Sequence, residues 1–439
     1  MRWLDLEHRK VAIIGFGREG QAAYRQLRRR YPQAQIGIFD EGNMPEPPDD
    51  RCDLHLGPLD APTLCQYDVA LRSPGVSPYR EALSVARRQG LEVVSPGSLW
   101  FAEHPGARTI CITGTKGKST TAALTAHLLR ACGKSVVLAG NIGRPLLDCE
   151  EQEVDWWVIE QSSYQLADLQ ANPEIAAILN VSDEHLDWHA GRANYLQDKL
   201  RLAELAAGQP LVLNWKDESL RSLESGAVKW FEHPDGWHVR ENFLWHGPSR
   251  ITDAAGSGLS GAHNLANLAA ALTLVECAGL RVADLDAALD DFQPLPHRLQ
   301  KVGVTEGVSF VNDSLSTTPV ATLAALQAYR DSRVILLAGG LDRGLDWSDA
   351  AVRIAAFEPR AVICLPDNGP LIAKAMQAAG FSPELGTHCV SGLEEAMRKA
   401  ASLAGPGDVV LLSPGAPSFP HFRDFADRGD QFARLAGVY

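Results

Sequence analysis

Short apolar runs, each closed by glycine, asparagine or aspartate, alternate with stretches of helical period along almost the whole chain. "KVAIIGFG", "QIGIFD" and "DVALRSPGV" read as strands of a first part. "TICITG", "SVVLAGN", "DWWVIEQ", "AAILNV" and "PLVLNW" make a second, and "SFVNDS", "RVILLAGG", "RAVICLP" and "DVVLLSPG" a third. Strands that alternate with helices in this way predict an α/β fold with mostly parallel sheets. Seams are suggested by "SPGSLWFAEHPGAR" (Ser95–Arg108) and "DFQPLPHRL" (Asp291–Leu299). The expected organisation is three domains: a Rossmann-like one over 1–97, a central P-loop ATPase-like one over 98–294, and a second Rossmann-like one over 295–439.

Length agrees with that count, since 439 residues correspond to about three domains. Hydrophobic residues at 45% and charged residues at 22% describe an ordinary globular chain with cores to bury. A formal net charge of −13 argues against nucleic acid or an anionic membrane as partner. The one basic cluster, "RQLRRRY" (Arg25–Tyr31), reads as a solvated helix face. Eight scattered cysteines form no C-x-x-C pair, which leaves neither a zinc site nor a disulfide scaffold. No apolar run nears the length of a membrane span and "MRWLDLEHRK" has no signal-peptide pattern, so a cytoplasmic enzyme is expected. Nothing in the pattern advertises an apolar interface, and a monomer is expected.

The candidate chemistry sits at strand ends. "GFGREG" (Gly15–Gly20) follows a strand, and Asp40 ends the next one, twenty residues beyond Gly20. That layout brings a helix N-terminus to a diphosphate and an acid to a ribose. Alone it is weak evidence, satisfied by any diphosphate ligand. "TICITGTKGKSTTAAL" (Thr109–Leu124) combines strand, glycine turn and helix opening on lysine, although only Thr115 and Lys116 separate Gly114 from Gly117. Backbone amides there converge on phosphate, Lys118 suits β/γ-phosphates, and Ser119 or Thr120 offers a hydroxyl to Mg2+. Glu160 ends a very apolar strand, where a carboxylate is costly unless paired or metal-bound. Asp183, Glu184 and His185 follow another strand; with the phosphate loop they suggest metal ligands.

Ten motifs in order, among them "TGTKGKSTT", "GNIG", "EQSSYQL", "ILNVSDEHLD", "YLQDKLRL", "GAHNLANLAAAL", "PHRLQ" and "LAGGLDRG", give the chain a strong resemblance to the Mur ligases. Within that family it is most similar to the glutamate-adding, MurD-like members, and the likeness covers nearly the whole chain. The short loop is then the family's own version, with Lys116 where asparagine is usual.

The resemblance implies an ATP-dependent amide-forming ligase of peptidoglycan precursor synthesis. Its substrates would be UDP-N-acetylmuramoyl-L-alanine and glutamate, with two Mg2+ ions and a CO2-derived carbamate on Lys199. The first domain would bind the UDP-substrate through Gly15, Phe16, Gly17, Arg18, Asp40, Ser73, Pro74 and Gly75, with Asn141 and Ser162 at the muramoyl-alanine end. ATP would lie on Gly114, Thr115, Lys116, Gly117, Lys118, Ser119 and Thr120, its base at Asn264 and Asn267, with Arg298 at the phosphates and Asp313 at the ribose. His263, Asn264 and Asn267 share one helix face by their spacing. Ser119, Glu160, His185 and carbamylated Lys199 would hold metal; Lys118, His185, Lys199 and Arg298 would serve catalysis. Glutamate would meet Thr317, Arg343, Ser418 and Phe425.

Departures from the family pattern gather at the amino-acid site: Leu315 stands where lysine is usual, Thr318 for asparagine, Arg343 for lysine, and "SPGAPSF" for "SPACAS". Together they favour the branch that adds L-glutamate, the standard D-glutamate enzyme being the alternative. An NAD-dependent oxidoreductase would rest on "GFGREG" and Asp40 alone. A folate-type ligase would lack the residues ahead of the phosphate loop.

Overall fold

The computed structural model describes residues 1–437 apart from 42–46, 143, 150, 224–226, 255–258, 260, 294–295 and 343. It forms two compact units, Met1–Gln293 and Pro294–Tyr439.

The first unit holds two parallel sheets. β1 (Val11–Ile14), β2 (Ile36–Asp40), β3 (Cys52–Leu56), β4 (Val69–Arg72) and β5 (Glu92–Val94) lie in the order β3-β2-β1-β4-β5. Strand order reverses between β1 and β4, which opens a crevice at their C-terminal ends. β6 (Thr109–Thr113), β7 (Val136–Gly140), β8 (Trp156–Glu160), β9 (Ile175–Ile178), β10 (Leu211–Asn214) and β11 (Val228–Phe231) lie in the order β11-β10-β9-β6-β8-β7. An antiparallel ribbon follows, β12 (Trp237–Arg240), β13 (Phe243–His246) and β14 (Ser249–Thr252).

The second unit is one sheet of β15 (Gln300–Thr305), β16 (Val308–Asn312), β17 (Arg333–Ala338), β18 (Ala361–Cys364), β19 (Thr387–Cys389) and β20 (Asp408–Leu412), ordered β15-β16-β20-β17-β18-β19. Only the edge strand β15 among these runs antiparallel. The strands legible in the sequence, such as β1, β6, β8 and β18, are buried along their whole length. Those without an apolar run, such as β3, β5 and β19, keep at least one exposed residue and no fully buried one.

Ser95–Arg108 contains a helix, Pro96–Glu103, capped by Ser95, whose Leu99, Trp100 and Phe101 are buried in a core that also takes Ile13 and Leu27 near the first sheet and Trp157 and Ile159 from the second. The chain there is packed, because its apolar residues have two sheets to cover. The basic cluster keeps Arg25 and Arg29 exposed, as a solvated face would, and also pairs them: Arg25 with Asp148 at 2.7 Å, Arg28 with Asp49 at 2.7 Å, and Arg29 with Glu151.

Candidate active site

A cavity of about 440 Å3 opens at the C-terminal ends of β1 and β4. Gly15, Gly17, Arg18, Asp40, Ser73, Pro74 and Gly75 line it, and on the far side Asn141, Ser162 and Gln165. The crevice predicted from the glycine turn is therefore continuous with the second sheet. Three contacts fix the turn: Gly15 N–H to Phe39 O at 2.7 Å, Phe16 N–H to Asp40 Oδ2 at 2.6 Å, and Ser73 Oγ to Gly15 O at 2.5 Å. A Cβ on Gly20 would lie 2.1 Å from Gly15 O, so only glycine lets the helix Arg18–Arg30 start this close to the turn. Asp40 thus orders the loop as well as facing the cavity.

The phosphate loop stands between β6 and the helix Lys118–Ala131, whose first residues present N–H groups toward the turn. Asn180 pins it from both sides, accepting from Lys116 N–H at 2.8 Å and donating to Lys116 O at 3.0 Å. The buried Thr115 hydroxyl meets Tyr195 Oη at 2.9 Å. Gly117 has φ 83°, and a Cβ there would lie 2.3 Å from Asn267 Oδ1. Asn267 is thereby brought against the loop, and Asn264 is beside it, accepting from Asn267 Nδ2 at 3.4 Å. Lys118 Nζ donates to Thr115 O at 3.0 Å, and Lys116 pairs with Glu184 at 2.9 Å. Burial pushes the Glu184 carboxyl up, but Lys116 outweighs it and leaves it below the usual range.

Glu160, at the end of β8, is fully buried. Asn141 Nδ2 donates to its Oε1 at 2.7 Å, while Oε2 has no hydrogen-bond partner among the described residues. A buried, half-satisfied carboxylate is what a bound cation would complete. Lys199 is 2% exposed, and Gly114 O accepts from its Nζ at 3.1 Å. Burial first, and then the nearby Lys118, push its amine down to about 7. An ammonium there has the wrong sign for a metal ligand; a carbamate on the same nitrogen has the right one. His185 holds φ 58° and keeps much of its ring exposed, yet partial desolvation lowers its imidazole below the usual value. Among the described residues no three His, Cys, Asp or Glu side chains gather as a ready metal site. The donors present fit Mg2+ through oxygen from Glu160, Ser119 and phosphate.

One network went unread in the sequence. His189 is fully buried, with Nδ1 2.7 Å from Asp198 Oδ2 and Nε2 3.0 Å from Ser163 Oγ. Tyr79 Oη reaches Asp198 Oδ1 at 2.8 Å. Burial pushes both His189 and Asp198 toward their neutral forms. The network ties the loop carrying His185 to the helix carrying Lys199, but its members are scattered in sequence.

In the second unit Asp313 is buried, accepting from Ser413 Oγ at 2.8 Å, Leu299 N–H at 3.2 Å and Ser316 Oγ. Burial raises its carboxyl to about 6 against these donors and the half-buried Arg298. Thr318 caps the helix Pro319–Ala328, so the residue in place of the usual asparagine has a structural task. Ser418 lines a cavity of about 350 Å3 with Gly340, His421, Phe422 and Arg428; Thr317 and Phe425 do not line it. Phe425 O accepts from Ser314 Oγ at 2.7 Å. Arg343 lies outside the described residues.

Comparison with known proteins follows the same division of the chain. Residues 9–95 match the Mur ligase MurD-like N-terminal domain, 112–275 the Mur ligase middle domain, and 297–415 the Mur ligase glutamate ligase domain. The chain belongs to the Mur ligases.

These are ATP-dependent ligases that form amide bonds. Similar Mur ligases include the UDP-N-acetylmuramoyl-L-alanine--L-glutamate ligase of Xanthomonas oryzae, 44% identical and aligned over 100% of this chain and 97% of that one. The enzymes of the same name from Xylella fastidiosa (42%, over 100% and 97%) and Salinispora tropica (37%, over 99% and 98%) are also similar. Among solved structures, the Mur ligase MurC of Thermotoga maritima overlays with a TM-score of 0.59 at 17% identity, over 97% of this chain and 99% of that one. MurF of the same organism, solved with ADP, gives 0.59 at 16% identity, over 99% and 97%. These two share the fold.

Proposed function

We propose that this Mur ligase joins L-glutamate to UDP-N-acetylmuramoyl-L-alanine with cleavage of ATP to ADP and phosphate. The observation that carries the reading is one continuous cavity running from the Gly15–Arg18 turn to Asn141, whose side chain is bonded to Glu160 beside the phosphate loop. A substrate with its diphosphate at the turn and Asp40, Ser73, Pro74 and Gly75 around the nucleotide presents its carboxylate at Asn141 and Ser162. The domain limits at 97/98 and 294/295 and a cytoplasmic monomer belong to the same proposal.

The loop amides from Gly114 to Thr120 and Lys118 hold the phosphates of ATP, with Asn264 and Asn267 at the base; Arg298 and Asp313 keep their proposed roles toward the phosphates and the ribose. Ser119, Glu160, His185 and Lys199 would hold two Mg2+ ions, which would neutralise phosphate charge during phosphoryl transfer. Lys199 takes that role after its neutral amine adds to CO2: an N–C bond forms and a proton leaves the nitrogen. The substrate carboxylate attacks the γ-phosphorus, the bond to the β,γ-bridging oxygen breaks and ADP leaves, which gives an acyl phosphate. The amino group of glutamate, held by Thr317, Arg343, Ser418 and Phe425, then attacks the carbonyl carbon; phosphate leaves and a proton is lost from nitrogen. Positioning and charge supply most of the rate.

The preference for L-glutamate is supported by relatives of that name at 37–44% identity and by Leu315 and Thr318 in place of the usual residues. Phosphate release with ATP, Mg2+ and UDP-N-acetylmuramoyl-L-alanine tests it. Turnover with L-glutamate alone is expected; turnover with D-glutamate alone would make this a standard enzyme in which Leu315, Thr318 and Arg343 are neutral changes.

A further inference from the structure

Glu19 belongs to "GFGREG" but has no part in the fingerprint itself. It is the second residue of the helix Arg18–Arg30, and its side chain lines the cavity with Gly15, Gly17 and Ser162. Gln165 Nε2, from the far wall, donates to its Oε1 at 3.1 Å. A carboxylate is well placed at an empty helix N-terminus, but a diphosphate at the same terminus competes with it. Two anions sharing one set of amides repel, unless one of them is protonated.

Resting on the UDP-substrate reading of this cavity, we propose that Glu19 meets the substrate as a neutral carboxylic acid. Its O–H is donated to an oxygen of the diphosphate or the adjoining sugar, and the proton is taken from solvent as the substrate binds. Glu19 is on this view a substrate-positioning residue that makes affinity depend on pH. Its surroundings suit the switch. Part of the residue reaches the surface, but the carboxyl is shielded from water, and that burial raises it to about 7 against Gln165 and Arg18. Asp148, on the 3-10 turn Leu146–Cys149, adds to the rise although Arg25 engages it at 2.7 Å. Around the cavity the other charged groups are Asp40 and the Arg80–Glu41 pair. A diphosphate brought to Gly17 and Arg18 shifts the balance further toward the protonated form.

Calorimetric titration of the whole protein with UDP-N-acetylmuramoyl-L-alanine, in buffers of different ionisation enthalpy, reads the proton directly. At pH 7.5 the substrate's phosphodiester groups and carboxylate are ionised and its uracil N3–H is not, so it contributes almost none. With the carboxyl at about 7, the wild-type chain at pH 7.5 takes up about 0.75 proton more than E19Q. If only the neutral form binds, wild-type affinity falls about 25-fold from pH 6.5 to 8.5, and E19Q, which keeps a polar partner for Gln165, stays flatter by that factor. Equal proton uptake and parallel pH profiles in the two proteins would overturn the proposal while leaving the cavity reading intact. Failure of the wild-type protein to bind at any pH would overturn the cavity reading itself.

Discussion

Arg72 offers the sharpest test of how the first unit holds its site. Its side chain is fully buried at the end of β4, where Nε and Nη2 each donate to Asp168 at 2.6 Å. The same guanidinium reaches the carbonyls of Tyr164 and Ser73, both at 3.2 Å, and that of Val76. It therefore joins the loop that lines the cavity to the start of the segment after β8. Arg72→Met keeps much of the volume but leaves Asp168, 13% exposed, without its partner. Breaking a buried pair in this way costs about 3–5 kcal/mol. The exposed Arg87 also acts on Asp168, which places the expected loss near the lower end, about 3 kcal/mol. With a urea slope of about 3 kcal/mol/M, the unfolding midpoint falls by about 1 M. Adding Asp168→Leu removes the stranded charge, and the double variant should recover about 2 kcal/mol of the loss. Affinity for UDP-N-acetylmuramoyl-L-alanine should weaken in Arg72→Met and partly return in the double variant. A single-variant loss under about 1 kcal/mol, or strictly additive effects, would refute the reasoning.

Other consequences are equally concrete. Lys199→Ala should lower phosphate release by about 10³-fold, with partial rescue by short carboxylates; an unchanged rate would remove the carbamate from the mechanism. Gly117→Ala places a methyl group 2.3 Å from Asn267 Oδ1 at a φ of 83°, so the KM for ATP should rise at least about tenfold while the UDP-substrate still binds; calorimetry with each ligand separates the two. Asp313, with its carboxyl raised from 3.8 to about 6, stabilises the fold fully below pH about 4 and loses that contribution as pH rises through 6, a change of at most about 3 kcal/mol. Asp313→Asn should flatten this slope, read by hydrogen exchange of β16 and β20 between pH 4 and 7; an unchanged slope would show that Asp313 is not its source.

Much of the site was legible because its chemistry is local. The turn, the lysine and the helix start of the phosphate loop are consecutive, and Glu160 announces itself as an acid closing a run of buried apolar residues. Asn180, which pins the loop, lies 64 residues from Lys116, and no local signal gives it that partner. His189, Asp198, Ser163 and Tyr79 meet only because β4, β8 and the helix Arg192–Leu205 are brought together. Thr318 shows the reverse case: a position read only as a departure from the family pattern, whose side chain caps a helix.

The sequence by itself determined the α/β class, the buried central strands and the two glycine turns, since apolar runs and glycine spacing act over a few residues. Only the tertiary structure decided that Leu99, Trp100 and Phe101 are packed core, that the basic cluster is paired, and that one cavity joins the first turn to Asn141, the partner of Glu160. It also decided the protonation of Lys199, Glu19 and Asp313, because desolvation depends on what surrounds a side chain in space and not on its neighbours along the chain.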